Sequence, residues 1–478
     1  MKVLFVTSEA APFIKTGGLA DVSFALPKAL HDKGVDVRII MPKYEDISYD
    51  FTSKTTQLAT FGVSVGWRNQ YCGLQYLSYD GLPVYFVDNE YYFKRHGCYG
   101  YFDDGERFAY FCRAVMESVK YMDDFYPDVI HCNDWQTGMI PLYLSDFYKG
   151  NPEFANAKSV FTIHNLKYQG RFSRSVIEEL LGIGEEYFNE EKIKYYDGIS
   201  FMKAGIVYAD KVTTVSKTYA KEIQMPYYGE GLDGLLRQKS GKLAGVINGI
   251  DYSVYDPKKD KNLIANYGLS TVKNKMLNKE ELQKIAGFPI NPDVPVISMI
   301  TRLVSQKGID LVAAVIEDIL KMDVQLIVLG TGDHDYQDFF EYYASSYPGK
   351  IASFIKFDDA LASKIYAGSD MFLMPSLFEP CGLSQIIAMS YGTLPIVRET
   401  GGLSDTVIPY NEFTGEGNGF SFTNYNAHDM LNVIEYAVNC FKDKKNWAKL
   451  VKNAMRTKFE WKTQAGEYLK IYNEILEA

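Results

Sequence analysis

No pair of cysteines in this chain is spaced as CxxC; its six cysteines stand apart at 72, 98, 112, 132, 381 and 440. That scatter argues against both a disulfide framework and a structural zinc site. Long apolar runs are absent too. Nothing approaches the roughly 18 residues a membrane-spanning helix needs. The opening MKVLFVTSEA is too short in its apolar run for a secretory signal and breaks at Ser8-Glu9. No basic run offsets a net charge of −10, which excludes nucleic acid and anionic membrane as partners while allowing a local basic pocket for a small anion. Low-complexity tracts are missing, and histidines number only six. These absences leave a soluble, reduced, cytoplasmic globular protein as the expectation.

What is present fits that class. The composition is 47% hydrophobic and 23% charged over 478 residues, a length that implies two domains of roughly 200–250 residues each. KVLFV (2–6) reads as a buried strand, 17–34 as a helix ending at Gly34, and DVRIIMP (36–42) as a strand. Strand-like runs recur at 84–89, 128–134, 159–165 and 211–216, with helical patterns between most of them. After VINGIDYSVYDP (246–257), rich in Asn, Gly, Asp and Pro, the alternation restarts at 295–303, 325–332, 371–376 and 394–399. Such alternation predicts doubly wound parallel α/β sheets. A hinge near 247–257 divides the chain into domains at 1–247 and 248–460, followed by a helix at 461–478.

One loop sequence occurs twice, as KTGGLADV (15–22) and TGGLSDTV (400–407). Each follows a predicted strand and opens a predicted helix. Ligands of open α/β sheets bind at the carboxyl ends of strands, so each domain is expected to present a Gly-rich loop, the two facing each other across a cleft. Lys15 precedes the first loop, as a phosphate-binding cation or as a solvated loop lysine. In ITRLVSQKGID (300–310), Arg302 ends a strand and Lys307 sits in the turn before a helix. Two cations in that layer can neutralise a diphosphate leaving group; otherwise they are surface charges at a turn. In LFEPCGLSQ (377–385), Glu379 heads a Pro-Cys-Gly turn, with the amides of Leu383 and Ser384 opening a helix. Glu379 can accept sugar hydroxyls or cap the helix, and Cys381 reads as a small buried turn residue. Asp333-His334-Asp335 offers a DxD that could chelate a cation, although a polar helix start is the simpler reading. His131 and His164 both end strands of the first domain, beside Asp134 and Asn165. The sharing of one strand-end face by two histidines predicts a site there.

The ordered set MKVLFVTSEAAPFIKTGGLADV, HCNDWQTG, VFTIHN, VINGID, ITRLVSQKG, LGTGD, PSLFEPCGLSQ and TGGLSDTV resembles the glycogen and starch synthase family from the first strand to the last helix. The resemblance implies an α/β GT-B fold of two Rossmann-like domains with the active site in the cleft, and a C-terminal helix that returns to the first domain. It implies retaining transfer of glucose from ADP-glucose to the non-reducing-end 4-hydroxyl of an α-1,4-glucan, with no metal and no cofactor. Carried over by position, Lys15, Arg302 and Lys307 hold the diphosphate, with Gly18, Leu383 and Ser384 adding donors. Asp21 and Asn248 shape the donor site, His164 touches the transferring glucose, and Glu379 its hydroxyls. Asp134 faces the acceptor and Tyr99 lies near the sugar, while Phe357 stands where relatives often place a Tyr against adenine. HCNDWQ departs from the commoner HAHDWH at Cys132, Asn133 and Gln136.

A double displacement needs a carboxylate beneath the anomeric carbon, and neither domain offers one by pattern. Front-face attack through an oxocarbenium-like ion pair is the mechanism expected. Two other enzyme readings compete: a glucosyltransferase using UDP-glucose or another acceptor, and an NAD-dependent oxidoreductase. The oxidoreductase requires GxGxxG at the first turn, which here reads KTGGLAD. A catalytically silent glucan-binding protein would not need Lys15, His164, Arg302, Lys307 and Glu379 together.

Overall fold

The computed structural model describes residues 1–123 and 125–478. By contact density the chain divides into two units, Met1–Gly249 with Trp461–Ala478, and Ile250–Glu460. No helix among the described residues is long and apolar enough to cross a membrane.

The first unit contains β1 (Lys2–Val6), β2 (Asp36–Pro42), β3 (Thr56–Val65), β4 (Arg68–Tyr79), β5 (Leu82–Asp88), β6 (Val129–Asn133), β7 (Lys158–Ile163), β8 (Arg171–Ser173), β9 (Lys194–Tyr195), β10 (Gly198–Ser200), β11 (Lys211–Thr214) and β12 (Leu243–Gly245). Among the described residues, nine of them form one sheet in the order β12-β11-β7-β6-β1-β2-β5-β4-β3, while β8, β10 and β9 form a small separate one. From β12 through β5 the neighbours are parallel. Their strands are short and buried on both faces, as parallel strands between helical layers must be. Alternate side chains of β1 serve opposite cores: Leu4 and Val6 one, Val3 and Phe5 the other. Sequence reading missed β3 and β4. They pair antiparallel at the sheet edge, and β3 alternates exposed and covered residues without an apolar run.

In the second unit, β13 (Val296–Ile300), β14 (Gln325–Leu329), β15 (Ile351–Phe354), β16 (Met371–Met374), β17 (Leu394–Arg398) and β18 (Phe420–Phe422) are ordered β15-β14-β13-β16-β17-β18, all parallel. Both sheets reverse direction beside their first strand, at β1/β6 and at β13/β16. Crevices at such switch points are where doubly wound sheets take their ligands. The strands expected at 295–303 and 325–332 end earlier, at Ile300 and Leu329. Their remaining residues leave the sheet to form the loops at that edge.

The chain's last helix, Trp461–Glu477, belongs to the first unit. Its Trp461, Ala465, Tyr468, Ile471, Tyr472 and Ile475 share a core with Val3, Phe5, Val22 and Leu26.

Candidate active site

At the second unit's switch point, the loops after β13 and β16 bring a lysine onto a glutamate 72 residues away. Lys307 Nζ lies 2.6 Å from Glu379 Oε2, which also accepts from Ser376 Oγ at 3.1 Å. Backbone fastens the two loops together. Leu377 N donates to Gln306 O at 2.9 Å, and Gln306 Nε2 donates to Phe378 O at 3.2 Å. Arg398, from the end of β17, donates to Leu377 O at 2.5 Å. Glu379 is buried, and Arg302 on the neighbouring loop is exposed. Leu383 immediately precedes the helix Ser384–Ser390, whose first amides no side chain caps. The arrangement is a fixed cation, a second cation in solvent and uncapped amides around one turn, a set able to receive phosphate oxygens.

The first unit's switch point is more acidic. Lys15 Nζ pairs with Asp21 Oδ1 at 2.8 Å. Behind the loop, Glu9 Oε2 accepts both the amide and the hydroxyl of Thr16, each at 2.7 Å. Burial raises the Glu9 pKa to about 7; the Thr16 donors oppose the shift, nearby Asp21 adds to it and Lys15 opposes it. Tyr99, partly covered, joins this loop through its hydroxyl, 2.7 Å from Ser8 Oγ. Gly18 is exposed at the start of the helix Gly18–His31.

His164 follows β7. Asn133 Nδ2 is committed to the carbonyls of Val6 (2.9 Å) and His131 (3.4 Å). Asn133 Oδ1 therefore faces the ring and accepts from His164 Nε2 at 2.9 Å. Desolvation lowers the His164 pKa to about 3, so the ring is neutral, with its lone pair on Nδ1. Asp134 does not point freely toward an acceptor as expected. Its Oδ1 accepts from the His164 amide at 2.7 Å and from the Asn165 amide at 3.4 Å. Desolvation outweighs those bonds and raises its pKa to about 7. Its backbone sits at φ 57°, ψ 179°, a region costly for any residue but glycine. The carboxylate thus shapes the turn that presents His164.

His131 is a correction. It is fully buried, with Nδ1 2.7 Å from Tyr472 Oη and Nε2 2.6 Å from Thr162 Oγ1. It holds the last helix to the sheet and presents nothing at the strand ends.

The repeated loop is a second correction. The two copies are not equivalent. Around the first, a methyl added at Gly17 would meet nothing within 4 Å. In the second, Thr400, Gly401, Gly402 and Leu403 are buried. A methyl at Gly401 would overlap the Glu379 carbonyl, and one at Gly402 the Cys381 carbonyl. Gly402 N donates to the Glu379 carbonyl at 3.1 Å. The second TGGL is therefore a backbone support beneath the Glu379–Cys381 turn, not an open ligand loop.

Phe357 lies beyond β15 and is 79% exposed. Asn248 is buried, and its Oδ1 has no hydrogen-bond partner among the described residues. Asp333 precedes the helix His334–Ser346, with its amide on Leu303 O at 2.8 Å. Among the described residues no three His, Cys, Asp or Glu side chains gather in a group able to hold a metal. Sequence reading missed Glu9, Asn133, Ser376 and Arg398. Only Glu9 carried a usable signal, being a carboxylate in the loop directly after the first strand.

Residues 2–238 match the family described as starch synthase catalytic domain, and residues 280–454 match glycosyl transferases group 1. Over the full length of both chains, the sequence is 57% identical to a glycogen synthase of Clostridium acetobutylicum and 54% to one of Clostridioides difficile. The solved catalytic domain of starch synthase IV from Arabidopsis thaliana, bound to ADP and acarbose, superposes with a TM-score of 0.93 at 34% identity, covering 100% of this chain and 99% of that one. A sucrose-phosphate synthase from Thermosynechococcus elongatus shares the fold, with a TM-score of 0.63 at 17% identity over 100% of this chain and 99% of that one.

Proposed function

This chain belongs to the glycogen synthase family, and on that premise we propose that it transfers glucose from ADP-glucose to the non-reducing-end 4-hydroxyl of an α-1,4-glucan, with retention and without a metal ion. The observation that carries the reading is the Lys307–Glu379 pair beside Arg302 at the second unit's switch point. As the glycosidic bond breaks, negative charge grows on the diphosphate. Arg302, Lys307 and the amides of Leu383 and Ser384 stabilise it, a preorganised charge acting where a metal acts in other transferases. Lys15, Gly18, Asp21 and Asn248, which the family resemblance links to the donor, belong to the first unit. Phe357 offers a face for adenine, and the ADP bound by the Arabidopsis relative supports that nucleotide.

Glu379 accepts hydroxyls of the transferring glucose while Lys307 holds it in place. The neutral His164 ring offers Nδ1 to a sugar hydroxyl and Tyr99 lies on the sugar side, while Asp134 acts through the turn that presents His164. The candidate carboxylates are each engaged within their own unit: Glu379 by Lys307 in the second, and Glu9 by Thr16, Asp21 by Lys15 and Asp134 by two amides in the first. That engagement favours front-face attack, in which the departing phosphate takes the acceptor proton, over a covalent glycosyl-carboxylate.

The test is glucose transfer to glycogen from ADP-glucose or UDP-glucose, with and without EDTA. Transfer from ADP-glucose is expected to persist under chelation. Arg302→Ala should lower kcat about 10²–10³-fold, roughly 3–4 kcal/mol of transition-state stabilisation, without changing the unfolding midpoint, because Arg302 is exposed. Loss of turnover in EDTA with rescue by Mn²⁺, or full activity in Arg302→Ala, would reject the cationic clamp. Faster transfer from UDP-glucose would reject the donor assignment.

A further inference from the structure

Residues 94–103 join the helices Glu90–Phe93 and Asp104–Ser118 of the first unit without regular structure, and Tyr99 sits in their middle. Such a stretch has no ladder of backbone bonds to hold its shape, so other groups must set the place of the Tyr99 ring. The chain turns on either side of that ring at Gly97 (φ 78°) and Gly100 (φ 96°), angles that favour glycine.

The groups that hold the stretch come from the start of the following helix. Asp104 Oδ2 accepts from Gly100 N at 2.9 Å. Arg107 Nη1 donates to Cys98 O at 3.2 Å and to Asp104 Oδ1 at 2.5 Å. Its Nε donates to Tyr92 O, in the preceding helix, at 2.8 Å. One ion pair therefore grips the residue before Tyr99 and the residue after it. Arg107 is fully buried, its guanidinium bordered by the rings of Phe93, Tyr101 and Phe108 at 5.6, 4.8 and 5.4 Å. Farther from Tyr99, Asp46 Oδ2 accepts from Gly97 N at 2.6 Å, and Arg95 donates to both oxygens of Asp103 at 2.6 and 2.8 Å. Held this way, Tyr99 puts its hydroxyl 2.7 Å from Oγ of buried Ser8, the neighbour of Glu9.

A buried ion pair is a poor source of stability, because desolvation of both charges offsets their attraction. This one also leaves Arg107 Nη2 with no hydrogen-bond partner among the described residues, which adds to its cost. Apolar side chains of the same volume would fill the space equally well. They would not hold a carbonyl and an amide on opposite sides of one ring.

We propose that Asp104 and Arg107 are positioning residues for the sugar side, fixing where Tyr99 stands by holding the backbone on both sides of it. The proposal rests on the reading above, in which Tyr99 lies by the sugar. Arg107 has no exposed surface, so it acts on the sugar through that ring. Misplacing such a group by about 1 Å can cost up to about 10²-fold in rate.

The experiment is a double-mutant cycle between Asp104→Asn and Tyr99→Ala, read as kcat and KM for transfer from ADP-glucose to glycogen, with urea unfolding to check the fold. Asparagine keeps the volume of Asp104, but its amide nitrogen cannot accept, so Arg107 or Gly100 loses its partner. Asp104→Asn should lower kcat about 10- to 10²-fold with KM for ADP-glucose near that of wild type. In the Tyr99→Ala background the same substitution should change kcat by less than about twofold, because the ring it positions is gone. Arg107→Lys, which keeps the charge but replaces the fork by one nitrogen, gives the same comparison from the other member of the pair. A pair that only stabilised the fold would lower activity by the same factor in both backgrounds. Losses that multiply in the double variants, or full activity in Asp104→Asn, overturn the positioning role and leave Tyr99 at the sugar. Wild-type kcat in Tyr99→Ala removes the ring from the sugar side, and the positioning role falls with it.

Discussion

Glu9 shows how the fold sets a charge state that no residue pattern reveals. Buried behind the first Gly-rich loop, its carboxyl has its pKa raised from 4.5 to about 7. Between those values the folded protein holds a proton that the unfolded chain has released. The resulting stabilisation is whole below pH 4.5 and is lost as the pH rises through 7. Glu9→Gln keeps the acceptor for Thr16 and cannot ionise. Its stability relative to wild type should therefore improve by on the order of 2 kcal/mol between pH 5 and pH 8, measured by urea unfolding of the first unit. The lowered pKa values of His131 and His164, both about 3, work in the other direction, removing stability as the pH falls below 6.5. Both proteins share that term, so the difference reports Glu9 together with the smaller push its charge gives Asp134. A difference that stays constant with pH would mean that Glu9 is ionised throughout. Arg302, Lys307 and Glu379 were legible because each stands at a strand end or turn. The 2.6 Å pairing of Lys307 with Glu379 was not, because it joins loops that only the parallel order β13-β16 makes neighbours. Asp134 was legible as a site residue, but its commitment to the His164 and Asn165 amides depends on an unusual backbone angle that local sequence does not specify.

Elements with the same sequence can do different work when their surroundings differ, and the two TGGL loops are a case. The first opens toward solvent at Gly17, whereas the second lies against the carbonyls of Glu379 and Cys381. Gly402→Ala should therefore push the Glu379–Cys381 turn out of place, destabilising the second unit by about 1–3 kcal/mol and weakening ADP-glucose binding through that turn, beneath which Gly402 is buried. Gly17→Ala should stay within about 0.5 kcal/mol of wild type in stability. Chemical denaturation and ADP-glucose titration of both variants decide the matter. A neutral Gly402→Ala would remove the supporting role. The repeat itself was plain in the sequence; its asymmetry was not, since what packs against a loop comes from distant segments. Strand reading succeeded for the same reason in reverse. Apolar, β-branched runs such as KVLFV declare parallel strands locally, while the half-exposed β3–β4 hairpin has no such run to declare it.

On the scale of the molecule, both units wind their parallel strands in the same order about the first, and the strand-end loops at the switch points follow from that winding. The first unit has one further requirement: residues 461–478 complete it only after the whole second unit has been synthesised. The junction is polar as well as apolar. Tyr472 from the last helix meets His131 of β6, His131 meets Thr162 of β7, and Thr162 meets Thr213 of β11, the Oγ1–Oγ1 distance being 2.6 Å. Lys211 adds an ion pair to Glu474 at 2.8 Å. Every member of the hydroxyl–imidazole chain is buried, so removing one end leaves a ring nitrogen with neither water nor partner. Tyr472→Phe keeps the ring packing and deletes only that hydroxyl. It should cost about 1–3 kcal/mol, and the loss should be confined to one unit. Hydrogen-exchange mass spectrometry should show faster exchange in β1, β6 and β7, with β13, β14 and β16 unchanged. Deleting 461–478 should go further and leave Val3, Phe5, Val22 and Leu26 uncovered, giving a first unit that does not fold. Equal loss of protection in both units of Tyr472→Phe, or a truncated chain with normal protection in β1, would mean that the first unit is complete without the helix that returns to it.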